Sequence, residues 1–162
     1  MFAIRYVALL ALVVWLGGMI LLGLLVAPST FRVLQAADPV AGRVLAGSLF
    51  GDILRHFHLV AYGCGTVILV CLFAIKFLGP PPRAFVPRAA IVVFMLIIAV
   101  YSGYPVSREI AQIQSHLSGP VNALPETDPR RVRFDRLHQM STTLMTINMA
   151  LGLVLLFWYI RE

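Results

Sequence analysis

Four long apolar runs constrain the fold of this chain more than any other feature of its sequence. They cover about residues 6–27, 53–78, 88–104 and 137–160, and each is too apolar around its circumference for a helix on the surface of a soluble protein. A run of roughly 20 apolar residues is long enough to cross a bilayer as a helix, whereas a surface helix would carry a polar face. The runs lack the alternation of polar and apolar residues that marks a membrane barrel. The sequence therefore predicts four transmembrane helices.

The composition supports a membrane protein rather than a soluble fold. Of the 162 residues, 60% are hydrophobic and 12% are charged. A soluble domain of this length could not keep so many apolar side chains out of water. The net charge of +6 fits basic residues at lipid headgroups, and no basic module interleaved with aromatics points to nucleic acid. We expect a single domain, residues 1–162, whose partner is the lipid bilayer.

The connections between the runs predict how the helices are joined. The second connection is short, which indicates an antiparallel hairpin of spans two and three. Apolar residues at helical spacing predict an interfacial helix at 40–51 and an extension of span three at 107–117. Asp128 and Pro129 suit the N-cap and first position of helix four. The predicted fold is all-α, an integral membrane antiparallel four-helix bundle with interfacial helical extensions.

Two prolines and the first run refine this prediction. Pro28 is expected to end span one, and Pro105 to kink or end span three. The first run is too long for the apolar region of a signal peptide, and no A-x-A cleavage site follows it. We interpret it as a retained first span.

The basic residues give conflicting indications of orientation. Both termini and the short connection share one side with 5 basic residues, and the long connections share the other with 8. A literal count places the long connections in the cytoplasm. The first helix often dominates, however, and Arg5 with the compact basic connection favours cytoplasmic termini. We predict cytoplasmic termini in a bacterial inner membrane.

Polar residues inside the spans are the candidates for function, because they are costly there. Motifs of soluble enzymes are absent from the sequence, so no catalytic residue is predicted. One helical face of span two and one of span four carry polar and small residues, and span three adds three more polar positions. These residues are Gly51, Arg55, His58, Tyr62 and Gly65; His138, Thr142 or Ser141, Met145, Asn148 and Gly152; and Tyr101, Tyr104 and Arg108.

The two histidines suggest a cofactor. His58 and His138 are expected at similar depth in spans two and four, which lie diagonally across an up-down bundle. They could be the axial ligands of haem b. Alternatively, they could bind copper together with Met145, Met140 or Met19, because imidazole and thioether groups suit copper. Arginines such as Arg55 and Arg108 could pair with haem propionates. Tyr62, Tyr101, Tyr104 and Asn148 would orient the ligands.

Other functions fit the same residues. A histidine near the start of a membrane helix often serves only as a hydrogen-bonding partner between helices. The polar face could pack against a partner membrane subunit or a second copy in a homodimer. It could also line the path of a proton or solute in a small transporter.

Short motifs along nearly the whole chain resemble a known family. They are Trp15-Leu16-Gly17-Gly18, Val26-Ala27-Pro28, Ala41-Gly42, Gly47-Ser48-Leu49-Phe50, His58, Phe134-Asp135-Arg136-Leu137-His138, Ser141 and Asn148. With these the sequence resembles the transmembrane-protein-205-like proteins, a domain of unknown function, and the resemblance implies a small four-helix membrane protein. The first span and the histidines at helix starts are also similar to copper-resistance D-type membrane proteins, which favours a metal.

Overall fold

The computed structural model describes residues 2–79, 84–117 and 119–161, and all regular structure in these ranges is helical. Four helical stretches are long and apolar enough to cross a membrane: Phe2–Ala37, Ala41–Leu78, Phe85–Ser115 and Pro129–Ile160. Many large apolar side chains on these stretches are exposed, which suits a lipid bilayer. The chain is therefore an all-α integral membrane protein, as predicted.

The first stretch runs on beyond Pro28, where the sequence predicted its end. Helix α1 (Phe2–Leu21) passes through a π-helical turn, Leu22–Val26, into α2 (Ala27–Ala37). In this turn the amide of Ala27 bonds to the carbonyl of Leu22, five residues back. Pro28 lies just after the π-turn and donates no backbone hydrogen bond, and the helix continues past it. The expected end at Pro28 is therefore wrong.

The third stretch has the same construction. Helix α4 (Phe85–Tyr101) leads through a second π-turn, Ser102–Val106, into α5 (Ser107–Ser115). Pro105 lies inside this turn and donates no backbone hydrogen bond. The Ser107 hydroxyl donates to the Ser102 carbonyl over 2.8 Å and supports the widened turn. The helix therefore continues past the proline instead of ending there.

Helix α3 (Ala41–Leu78) is one continuous helix of 38 residues. The helix predicted at 40–51 is the first part of α3 and continues into span two without a break, because no proline interrupts the helix between Ala41 and Leu78. At 1.5 Å per residue α3 is about 57 Å long, which exceeds a hydrocarbon core of about 30 Å. Part of α3 must therefore lie outside the hydrocarbon.

The ends of α2 and α6 are formed by local hydrogen bonds. Asp38 Oδ1 accepts from the amides of Val40 and Ala41, each over 2.8 Å, and so turns the chain from α2 into α3. After a short 3₁₀ turn, Val121–Ala123, helix α6 (Pro129–Ile160) begins at Pro129. Asp128 accepts from the amide of Arg130 over 2.8 Å, which confirms the predicted N-cap.

The long helices share a single core. Helix α1 packs on α3 and α6, and α4 also packs on α3 and α6. Among the described residues, α1 does not pack closely on α4, nor α3 on α6. The inward side chains meet in a cluster that includes Leu12, Trp15, Ile68, Leu72, Val92, Met95 and Leu155. This arrangement leaves a central space that all four helices can line.

Candidate functional site

A small cavity of about 40 Å³ lies among α1, α3, α4 and α6. All four helices line it, together with the π-turn that follows α4. The lining residues are Trp15, Met19, Leu54, Phe57, His58, Ala61, Ile98, Ala99, Ser102, Ser141, Met145 and Asn148. The cavity brings together His58, Met145 and Asn148, which the sequence predicted as site residues from two different helices.

His58 is the titratable side chain in this cavity. It is buried on α3, and its Nδ1 lies 2.7 Å from the carbonyl oxygen of Leu54. A carbonyl oxygen can only accept, so Nδ1 must be the donor. In the neutral ring this tautomer leaves the lone pair on Nε2, the form in which imidazole binds a metal. The hydrogen bond to Leu54 therefore leaves Nε2 as the ring nitrogen of His58 that carries the lone pair.

Tyr62 and Gly103 surround the same ring. Tyr62 lies one helical turn after His58, with ring centroids 6.2 Å apart, and its hydroxyl donates to the carbonyl of Ala99 over 3.3 Å. Gly103, in the second π-turn, comes so close that a Cβ there would lie 2.6 Å from His58 Cδ2. Tyr62, which the sequence predicted to orient a ligand, therefore lies beside the ring of His58.

Asn148 supplies a buried polar group. Its Nδ2 donates to the carbonyl oxygen of Met95 over 3.3 Å, and its Oδ1 is buried with no hydrogen-bond partner among the described residues. Buried polar atoms nearly always have a partner, so this oxygen is an acceptor available to a water molecule or another group in the cavity. The hydroxyls of Ser102 and Ser141, 3.4 Å apart, add further polar atoms to the lining.

Two methionines complete the lining. Met19 of α1 is buried and Met145 of α6 is half-buried. Within the described residues no group of three or more His, Cys, Asp or Glu side chains could hold a metal ion. A metal in this cavity would therefore depend on thioether sulfur in addition to His58.

His138 and Arg55 lie elsewhere. His138 is exposed, stacks on Phe134 with ring centroids 6.1 Å apart, and is not among the lining residues. Helix α6 turns Leu137, Ser141 and Asn148 inward, and His138 follows Leu137 by about 100° around the helix. Arg55 is exposed and pairs with Asp52 on its own helix. The structure therefore does not bring the two predicted histidine ligands to a common cavity.

The three predicted residues of the third stretch also point outward. Tyr101, Tyr104 and Arg108 are exposed, and Arg108 Nη1 donates to the Tyr104 hydroxyl over 2.7 Å. The inward positions here are Ser102 and Val106, which are buried. Tyr101 lies before the π-turn, so the rotation of α4, which turns Ile98 and Ala99 inward, already places it outside. The sequence periodicity does not fix that rotation, because it depends on the neighbouring helices.

Sequence reasoning missed Ser102 and Gly103 as residues of the site. Both lie in the apolar third run, just before Pro105. A small pair beside a proline in a membrane helix is a usable signal, because small residues permit close approach and a proline often accompanies a local change in helix geometry.

Comparison with characterised proteins and with solved structures gave no match. A family model described as a domain of unknown function, DUF4149, matches residues 10–117, which include α1 from residue 10 onward and the whole of α2 to α5. The match contains His58, Met19 and Gly103 and ends before α6, which provides Met145 and Asn148. Because most of its length matches, the chain belongs to the DUF4149 family, a domain of unknown function.

Proposed function

We propose that this membrane protein binds one copper ion, as Cu(I), in the cavity lined by His58, Met19 and Met145. The observation that carries the proposal is the hydrogen bond from His58 Nδ1 to the Leu54 carbonyl, over 2.7 Å. It leaves Nε2 as the ring nitrogen with the lone pair, and Met19 and Met145 line the same cavity as His58. Imidazole and thioether are ligands that suit Cu(I).

The charge of the lining favours a monovalent soft ion. The twelve lining residues include neither an acidic side chain nor a cysteine, so the protein ligands would be neutral. A buried cation needs compensating dipoles, and Asn148 Oδ1 is an unpartnered acceptor in the same lining. A divalent ion would need more compensation and would favour carboxylate or thiolate ligands.

The size of the cavity favours copper over haem b, the other cofactor predicted from the sequence. A volume of about 40 Å³ suits a single ion or a few water molecules. Organic ligands of the size of a drug occupy pockets of roughly 300–1,000 Å³. The exposed position of His138 also argues against a pair of axial histidines at this cavity. The proposal therefore keeps His58 and Met145 as ligands and replaces His138 by Met19.

Cu(I) binding is tested on the purified protein in detergent, under anaerobic conditions. A chromophoric Cu(I) chelator competes with the protein, and the titration gives both stoichiometry and affinity. We expect one Cu(I) per chain. His58→Ala, Met19→Leu and Met145→Leu should each weaken binding by more than about tenfold, which equals about 1.4 kcal/mol.

Two matched variants serve as controls. His138→Ala removes an exposed histidine, and Met140→Leu removes a methionine that does not line the cavity. Both should bind Cu(I) as the unchanged protein does. Equal losses in His58→Ala and His138→Ala would contradict the proposal, as would a protein that binds no Cu(I). In that case the predicted small transporter would be tested next by flux into proteoliposomes.

We also propose that the four spans form an antiparallel bundle with cytoplasmic termini in a bacterial inner membrane. The packing of α1 and α4 on both α3 and α6 supports the bundle. In the described ranges, the end of the molecule with both termini carries Arg5, Lys76, Arg88 and Arg161 and no acidic residue, which supports contact with an anionic leaflet. Single cysteines placed at either end and labelled from outside the cell would test the orientation.

The finer family relationship is likewise a proposal. We propose that the DUF4149 family is related to the transmembrane-protein-205-like and copper-resistance D-type proteins that the sequence resembles. His58, which is part of that resemblance, is also the central residue of the proposed copper site. A homodimer stays a prediction, and the mass of the protein in detergent would test it.

A further inference from the structure

The second π-turn lies directly against the proposed ligand His58. A Cβ on Gly103 would be 2.6 Å from Cδ2 and 2.7 Å from Cγ of the imidazole, and would also collide with the Tyr62 hydroxyl. Carbon atoms separated by less than about 3.5 Å repel each other. Only glycine at this position lets the backbone of the third stretch approach the ring so closely.

Three contacts surround the imidazole and restrict its rotation. The Leu54 carbonyl accepts from Nδ1 over 2.7 Å. The backbone of Gly103 lies close to the Cγ–Cδ2 bond of the ring. The Tyr62 ring lies 6.2 Å away between centroids and is held by its own hydrogen bond to Ala99. A rotation of the imidazole would break the first contact and would be opposed by the second.

The π-turn places Gly103 in this position. In the turn Ser102–Val106 the amide of Ser107 bonds to the carbonyl of Ser102, five residues back, and the Ser107 hydroxyl donates to the same carbonyl. Single π-turns in α-helices are rare and occur frequently at functional sites. Here the turn has a definite local effect, because it brings a residue without a side chain to the ring of His58.

Building on the proposed copper site, we propose that Gly103 is a positioning residue that fixes the orientation of His58 and directs Nε2 to Cu(I). Gly103 does not contact the ion itself. Supporting groups that orient a metal-binding histidine typically change metal affinity by about 10- to 100-fold. Loss of the orientation should therefore weaken Cu(I) binding without removing any ligand.

The test compares Gly103→Ala with Gly63→Ala. Gly63 lies on α3, and a Cβ there would have no neighbour within 4 Å. We expect Gly103→Ala to lower the Cu(I) affinity about 10- to 100-fold and to reduce the nitrogen contribution to the X-ray absorption spectrum of bound copper. Gly63→Ala should change neither quantity.

A second readout does not need the metal. In the metal-free protein, ¹⁵N NMR of His58 should show the tautomer with the proton on Nδ1, and Gly103→Ala should lose that preference. If Gly103→Ala fails to fold, Ser107→Ala tests the same idea, because it removes a support of the turn without adding an atom. Ser107→Ala should also weaken Cu(I) binding, by a smaller factor than Gly103→Ala.

The outcomes separate this inference from the copper site. If the unchanged protein binds Cu(I) and a folded Gly103→Ala binds it equally, with the same nitrogen contribution, the positioning role is wrong and the copper site stands. If the unchanged protein binds no Cu(I), the copper site is wrong, and the ¹⁵N spectra still decide whether Gly103 orients His58. Identical spectra in the two proteins would overturn the positioning role.

Discussion

Asn148 on α6 donates a hydrogen bond from Nδ2 to the carbonyl oxygen of Met95 on α4, 3.3 Å away, and both residues are buried. This bond joins two neighbouring helices at the level of the cavity. Side-chain hydrogen bonds between membrane helices contribute about 0.6 kcal/mol on average, and up to about 1.7 kcal/mol. Asn148 therefore links the stability of the fold to the geometry of the proposed site.

We expect Asn148→Ala to lower the free energy of unfolding by about 1–2 kcal/mol, because it removes this bond and leaves a small void. Unfolding in increasing fractions of a denaturing detergent would measure the change. The matched control is Thr146→Ala, whose hydroxyl is exposed and bonds to Thr142 of its own helix over 2.9 Å. The free energy of unfolding of this control should differ from that of the unchanged protein by less than about 0.5 kcal/mol. Equal effects of both variants would contradict the prediction.

Two glycines on α3 should respond in opposite ways to alanine. A Cβ on Gly65 would lie 2.7 Å from Leu96 Cγ and 3.0 Å from Trp15 Cζ3, whereas a Cβ on Gly63 would meet nothing within 4 Å. Overpacking costs about 1–3 kcal/mol, so Gly65→Ala should be destabilising. Gly63→Ala should be neutral or stabilising by up to about 1 kcal/mol, from helix propensity. Thermal unfolding in one detergent measures the change in stability caused by each substitution. A change of the same sign in both variants would refute the packing argument.

The stability of the first turn of α6, which Asp128 caps, should depend on pH. The hydrogen bond from the Arg130 side chain, 3.0 Å between Nη2 and Oδ2, holds the pKa of Asp128 below its usual value. A carboxyl with a lowered pKa in the folded state stabilises that state fully above its unfolded pKa of about 3.9. The stabilisation is lost as the pH falls through the lower folded pKa.

Arg130→Gln should raise the pKa of Asp128 towards its usual value, as followed by ¹³C NMR of the carboxyl during an acid titration. Asp128→Asn should keep the cap, because asparagine caps about as well. It should remove the loss of amide protection at acid pH in the first turn of α6, measured relative to the intrinsic exchange rate. An unchanged titration of Asp128 in Arg130→Gln would mean that the Arg130 side chain is not the cause of the shift.

An ion pair joins α5 to α6. Arg133 Nε donates to Glu109 Oε1, and the side chain of Arg133 is 68% exposed. Exposed pairs contribute about 0.2–1 kcal/mol and are screened by salt. A double-mutant cycle with Glu109→Gln and Arg133→Gln should therefore give a coupling below about 1 kcal/mol that declines at high ionic strength. The parallel cycle of Glu109→Gln with Arg136→Gln should give none, and equal coupling in both cycles would show that the pair is not specific.

The sequence was sufficient for the elements whose cause is local. Length and uniform hydrophobicity identified all four membrane-spanning helices, because lipid requires helices with every backbone bond satisfied internally. The start of α6 followed from Asp128 and Pro129, whose capping role depends only on adjacent residues. His58 could also be singled out, since a polar residue in an apolar run is costly unless it faces the core.

The tertiary structure alone decided which side chains meet. His138 and Met19 were both candidates from the sequence, but the rotation of α6 places His138 outside, and the packing of α1 places Met19 beside His58. The rotation of a helix about its own axis depends on contacts with neighbouring helices. The spacing of polar and small residues from His138 to Gly152 does not determine which of two adjacent residues faces the core. The π-turns at Leu22–Val26 and Ser102–Val106 change the helical register as well. The sequence by itself determined the four helices and the start of α6 at Asp128. The packing of those helices determined the cavity, because only packing brings residues distant in the chain together.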